Sequence, residues 1–152
     1  MNYTHLVSVA ALVVNEEREV LLIKSPDRGW EYPGGIVEPH ETLQEALFRE
    51  VEEETGVQVE IMSFVGISKN LERDIVNIDF VCKYTGGDLQ TSNESLEVKW
   101  VSKEQAFELV QYPLTQKRLK NMLSCETKMY CFGFKKEPFQ VMDEADYPIG
   151  LM

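Results

Sequence analysis

The chain has 152 residues, enough for one domain with its own core and too few for two ordinary ones. Hydrophobic residues make up 43% and charged residues 27%, the balance of a soluble globular protein that needs no disulfide or structural metal to fold. The net charge of -11 repels nucleic-acid phosphates, which excludes a sequence-independent nucleic-acid binder. A small phosphorylated ligand stays compatible with that charge if a local cation meets it.

Three cysteines, Cys82, Cys125 and Cys131, form no C-x-x-C pair. An odd, unpaired set argues against a disulfide framework or a zinc site and for reduced thiols. The start, Met1 to His5, lacks the basic region and cleavage site of a signal peptide, and Leu6 to Val14 is too short to span a membrane. The expectation is a soluble, cytoplasmic protein with no membrane partner.

In chain order, His5 to Asn15 reads as a buried strand, and Val20 to Ile23 closes a hairpin with it. Trp30 to Tyr32 is short and extended, and Pro33-Gly34-Gly35 predicts a tight turn. A helix is expected from about Thr42 to Thr55. Thr42 and Glu45 have capping-box spacing, and Gly56 sits where a C-terminal glycine belongs. Val57 to Val65, Asp74 to Tyr84 and Leu96 to Val101 read as strands, with a turn at Gly86-Gly87-Asp88. Ser102 and Gln105 cap a helix to about Val110, and Pro113 opens another to about Leu123. Lys128 to Phe134 reads as a late strand, and the tail from Lys135 to Met152 carries little periodicity. Strands on both sides of a capped helix, with more helix behind, predict a mixed sheet packed between helices in one domain covering residues 1–152.

The chemistry is concentrated in the first helix. At 100° per residue, Leu43, Ala46 and Leu47 share the core face, with Val51 at its edge. Glu50 and Glu54 fall on that same face and Glu53 lies beside it, whereas a solvated acidic helix would turn its carboxylates away. Like charges at i+3 and i+4 repel, and the helix C-terminus adds an unfavourable dipole. A cation between them removes the conflict, and carboxylate oxygens are the ligands that Mg²⁺ and Mn²⁺ prefer. Arg49, four residues from Glu45 and from Glu53, is placed to hold one of them.

Residues 35–57, GIVEPHETLQEALFREVEEETGV, carry a specific pattern. They match the Nudix box, G-x5-E-x7-R-E-U-x-E-E-x-G-U with U apolar, at Gly35, Glu41, Arg49, Glu50, Val51, Glu53, Glu54, Gly56 and Val57. The preceding Trp30-x-Tyr32-Pro33-Gly34 resembles the approach to the box in many members, and the order of elements from Val7 to Leu123 is consistent with the family's α/β/α sandwich. The tail from about residue 125 matches no such motif. His40 departs from the common form, in which many members have glycine.

The resemblance implies a metal-dependent enzyme that hydrolyses a pyrophosphate linkage in a nucleoside diphosphate derivative. By position it implies Glu50 and Glu54 as principal ligands of Mg²⁺, with Mn²⁺ as substitute. It implies Glu53 as further ligand or base, Arg49 as the residue that orients a glutamate, the Gly34 carbonyl as a metal contact and Glu41 as support for the loop. The further acidic residue that the family often supplies from a later loop, as metal ligand or base, corresponds to Glu94 or Glu97, with Glu94 preferred. Lys24 and Arg28 are candidate phosphate partners, and Trp30, Tyr32, Phe64 and Phe80 are candidate faces for a base or sugar. The expected substrate is a nucleoside triphosphate in a house-cleaning role. ADP-ribose or another nucleotide sugar is the alternative, and a non-cleaving nucleotide sensor on the same fold is the competing class. A homodimer is the default oligomer.

Overall fold

The computed structural model describes residues 1–124 and 128–150, so Cys125 lies outside the described residues. The chain runs β1 (Leu6–Val14), β2 (Val20–Ser25), β3 (Gly29–Glu31), β4 (Gly34–Ile36), α1 (Leu43–Thr55), β5 (Gln58–Asn70) and β6 (Ile75–Gly86). It continues with β7 (Glu97–Val101), α2 (Lys103–Leu109), α3 (Pro113–Met122), β8 (Lys128–Lys136) and β9 (Phe139–Pro148). The strands form one mixed sheet in the order β3-β2-β1-β6-β5-β8-β9, with β4 paired to β1 and β7 paired to β2.

Alternation along β1 divides the core into two layers. Val9, Ala11 and Val13 face Ala46, Leu47 and Val51 of α1, together with Ile78, Phe80 and Cys82 of β6. Ala10 and Leu12 face the other way, against Ala106 of α2 and Leu119 and Met122 of α3. The sheet therefore lies between helices. None of the helices among the described residues is long and apolar enough to cross a membrane.

Both ends of α1 form as its sequence dictates. The Thr42 side chain accepts from the Glu45 N–H, Glu45 reaches back to the Thr42 N–H, and Gly56 closes the helix in the left-handed conformation at φ 81°. The capping box of Ser102 and Gln105 on α2 forms as well, and proline opens α3. Leu43, placed on the core face from periodicity, is 37% exposed, because its turn of α1 overhangs the sheet.

Two expectations are corrected. Gly34 and Gly35 make a strand rather than a tight turn: β4 pairs antiparallel with β1, Ala10 opposite Gly34 and Val9 opposite Gly35, and neither glycine has positive φ. These glycines serve close approach. A Cβ on Gly34 would strike the Val9 carbonyl, and one on Gly35 would sit within 2.6 Å of the Glu50 carboxylate oxygens. The strand expected over Lys128 to Phe134 forms as β8, parallel to β5 from Gly66–Tyr130 to Asn70–Phe134, but the aperiodic tail after it is a strand as well, β9, which closes a long hairpin with β8. Phe132 and Phe134 pack with Leu114, Tyr112 and Phe139 into a third small core. β5 also runs past its expected end at Val65 to Asn70, because the hairpin supplies it with a second partner.

Candidate active site

Glu50 and Glu54 stand one turn apart at the C-terminal end of α1, only 9% and 6% exposed. Each carboxyl shifts the titration of the other. Burial, reinforced by the charge of Glu50, pushes the Glu54 carboxyl up to about 9. Burial also raises Glu50, against the opposing pull of Arg49. The pair is thus more negative than its surroundings accommodate.

Arg49 locks the approach to this pair. Its Nε and Nη2 donate to the two oxygens of Glu41 at 2.6 and 2.8 Å, and Nη1 donates to Glu50 Oε1 at 2.7 Å. Nη2 also donates to the Ile36 carbonyl at 3.1 Å, which ties the helix to the end of β4. The fork holds the Glu41 carboxyl at about 2, well below its ordinary value. Of the two i+4 partners considered for Arg49, Glu53 makes a contact of 3.3 Å, while Glu45 is occupied by the Thr42 cap. His40 in the box loop has φ 69°, the left-handed region, which accounts for glycine being common there.

A cleft of about 460 Å³ opens over the pair. Its acidic lining is Asp27, Glu31, Glu38, Glu50, Glu54 and Glu94, and Arg28 is its one cation. Gly34 and Gly35 form part of the wall. Glu94 is brought here by a loop whose Ser95 hydroxyl donates to the Glu54 carbonyl at 2.5 Å, so the loop is fastened to the end of α1.

Some sequence candidates are not brought together. Glu53 has a side chain 60% exposed, turned towards Arg49, and does not line the cleft. Glu97 pairs with Lys24 at 3.4 Å, away from both carboxylates. Trp30 is covered by Lys99, 4.6 Å from its ring centroid. Phe80 and Phe64 stack 5.5 Å apart, and Phe80 belongs to the core beneath α1. Arg28 lines the cleft but is neutralised by Glu31, with both contacts at 2.9 Å.

Tyr32 lines a second cavity of about 310 Å³, which shares Arg28, Glu31, Gly34, Gly35 and Ile36 with the first. Its ring lies 5.4 Å from the Arg118 guanidinium, and Arg118 forms a buried ion pair with Asp79. Burial alone would lower the Arg118 pKa; Asp79 more than offsets that and raises it. Sequence reading missed this pair. The signal was present: Asp79 interrupts the apolar run of β6, and Arg118 occupies the i+4 position from Leu114 on the buried face of α3.

The donor set suits a hard divalent cation. Mg²⁺ is bound through one or two carboxylates plus water and substrate phosphates, rather than by a closed protein cage. Two converging buried carboxylates with excess negative charge meet that description. Among the described residues no three acidic or imidazole side chains converge into a fuller cage.

Residues 4–123 match the NUDIX domain. The chain belongs to the NUDIX family. It is 45% identical over 105 residues to a MutT-like protein of Streptomyces ambofaciens, covering 68% of each chain. It is 31% identical over 106 residues to the ADP-ribose pyrophosphatase of Methanocaldococcus jannaschii, covering 64% of this chain and 63% of that one. Identity to the human 8-oxo-dGDP phosphatase NUDT18 is 38% over 100 residues, which span 60% of this chain and only 31% of that protein. Among solved structures, the MutT protein from Bacillus halodurans superposes with a TM-score of 0.71 at 26% identity, covering 95% of this chain and 99% of that one. With its box complete, the chain is a Nudix hydrolase, and the α1 end just described is where the Nudix box lies. The tail hairpin lies beyond the matched segment.

Proposed function

We propose that the chain hydrolyses a pyrophosphate linkage in a nucleoside diphosphate derivative, with a nucleoside triphosphate as first substrate. The observation that carries this reading is the buried Glu50–Glu54 pair, held in register by Arg49 and covered by a strand without side chains at Gly34 and Gly35. Glu50 and Glu54 would hold Mg²⁺, or Mn²⁺ in its place, and the carbonyl of Gly34, which lines the same cleft, would join them. Such a metal supplies charge neutralisation at the phosphate oxygens and a lowered pKa for water.

The chain's own groups supply the rest. Arg49 keeps the Glu50 carboxylate aimed into the cleft, and Glu41 keeps Arg49 in place. Glu94 is the base, because it lines the cleft and, among the described residues, its carboxylate makes no hydrogen bond or ion pair. It takes a proton from the attacking water. The water oxygen bonds to one phosphorus, the bond from that phosphorus to the bridging oxygen breaks, and the departing phosphate keeps the electron pair. Glu53, exposed on the rim, acts through Arg49.

The names of the relatives support nucleotides on both sides of the choice, a nucleoside diphosphate on one and ADP-ribose on the other. The test is phosphate release with product identification across nucleoside di- and triphosphates, ADP-ribose and dinucleoside polyphosphates, with Mg²⁺, Mn²⁺ or chelator. Metal-dependent cleavage of a triphosphate is expected. Tight nucleotide binding without cleavage across the panel would replace the enzyme with a sensor.

A further inference from the structure

The two cavities that share the β4 wall carry opposite charge. The first has six carboxylates and one cation in its lining. The second has Arg28, Arg73, Arg118 and Lys136 against Glu31 alone. In a chain of net charge -11, this is a local reversal of sign. Arg73 and Lys136 line the second cavity but not the first, so they lie at the end away from Glu50 and Glu54.

Among the described residues, Arg73 and Lys136 form no ion pair. Of the two acids beside Arg73, Asp74 pairs with Lys69 at 3.2 Å, while Glu72 accepts from the Lys136 backbone N–H at 2.6 Å and keeps its charge, so this end carries two cations against one carboxylate. The Lys136 ammonium lies 5.1 Å from the Tyr112 ring centroid, which orients it without discharging it. Arg118, engaged with Asp79 through Nε and Nη2, leaves Nη1 without a protein acceptor. Two cations and one unused donor, from the β5–β6 turn, β8 and α3, surround one cavity of about 310 Å³. Every one of them requires an acceptor, and none requires a donor.

We propose that this basic half of the cleft is a second anion subsite, which takes a phosphoryl group carried on the nucleoside's 2′ or 3′ oxygen while the pyrophosphate lies over Glu50 and Glu54. The substrate class is then a nucleoside diphosphate derivative with a further phosphate on its sugar. The position of the pyrophosphate rests on the hydrolase reading; the subsite itself does not. Lys136 comes from the tail hairpin, beyond the segment that matches the family, so the hairpin is the specificity element.

Calorimetry with AMP and with adenosine 3′,5′-bisphosphate or 2′,5′-bisphosphate reads the subsite without turnover. One of the bisphosphates is expected to bind about tenfold tighter than AMP, the worth of a charge-assisted contact. In the double variant Arg73→Ala/Lys136→Ala that advantage should collapse, with a thermal melt confirming the fold. Equal affinities in the parent, an advantage that survives the double variant, or equal losses for AMP and bisphosphate would each overturn the subsite. In the last case the two cations would be holding the 5′ phosphate common to both ligands. Turnover of ADP and its 3′-phosphorylated form with Mg²⁺ separates the two readings. If neither these nor any nucleotide of the wider panel is cleaved while the binding advantage stands, the hydrolase reading fails and the subsite remains.

Discussion

Gly35 lies against the carboxyl group of Glu50, and a Cβ on it would come within 2.6 Å of both carboxylate oxygens. The strand and the helix are packed so closely here that a hydrogen atom is the largest side chain the strand tolerates. Gly35→Ala should therefore push the Glu50 carboxylate out of line without unfolding the sheet. A fall in kcat of about 100-fold is expected, the cost of misplacing a catalytic group by about 1 Å. Steady-state kinetics beside a thermal melt checks this, and a variant with unchanged kcat would detach Glu50 from the chemistry.

The charge conflict between Glu50 and Glu54 gives a pH dependence with a definite sign. The Glu54 carboxyl is raised from 4.5 to about 9 in the folded chain, by burial first and then by Glu50. Between those values the folded state keeps a proton that the unfolded chain releases, so stability is highest at the acid end and falls as pH rises through the window. Melting in chelator from pH 5 to pH 9 should show a declining Tm, and Mg²⁺ should flatten the decline by replacing the proton. Glu54→Gln should flatten it without metal and cut turnover by about 100-fold or more.

The buried pair of Asp79 and Arg118 makes a stability prediction independent of the metal site. Asp79→Ala leaves the Arg118 charge buried without its partner, and a loss of about 3–5 kcal/mol is expected. Replacing both, by Asp79→Leu with Arg118→Met, should recover most of it. Denaturant unfolding of the parent and these two variants measures the difference, and an Asp79→Ala variant as stable as the parent would contradict the arrangement.

The thiols should differ in reactivity. Cys82 is buried beneath α1, and burial pushes its thiol up to about 12, whereas Cys131 is exposed. At pH 8 an alkylating reagent should label Cys131 in the native protein and reach Cys82 only after unfolding. Peptide mass mapping decides this, and rapid native labelling of Cys82 would mean that the layer under α1 opens.

The first helix was legible in the sequence because its signals are local. Thr42, Glu45 and Gly56 mark its ends within one turn each, and the periodicity puts Glu50 and Glu54 on the buried face. What was hidden depended on pairing across the chain. The glycines of β4 look like turn residues until the strand that they touch is known. The tail looks aperiodic because β9 is exposed along nearly its whole length and has no alternation to display. Asp79 and Arg118 are each an anomaly alone and an explanation only together. Arg73 and Lys136, ordinary surface residues in the sequence, acquire meaning from sharing a cavity.

The same long-range pairing sets the order in which the molecule can be built. β1 gains its parallel partner only when β6 is available, a connection reflected in the Ser8–Asn77 hydrogen bond between positions 69 apart. The contact from the Lys136 backbone to Glu72 spans 64 positions. Loops of that length are costly to close, so the sheet belongs to the slow-folding class of topologies. The capped helix can form early, with its glutamates still in water and at ease. The electrostatic tension between them arises only at the end, when the sheet closes over them. A growing chain thus carries the complete Nudix box before it carries a site: the acidic cleft waits for the loop that brings Glu94, and the basic cavity waits for Lys136 of the last hairpin.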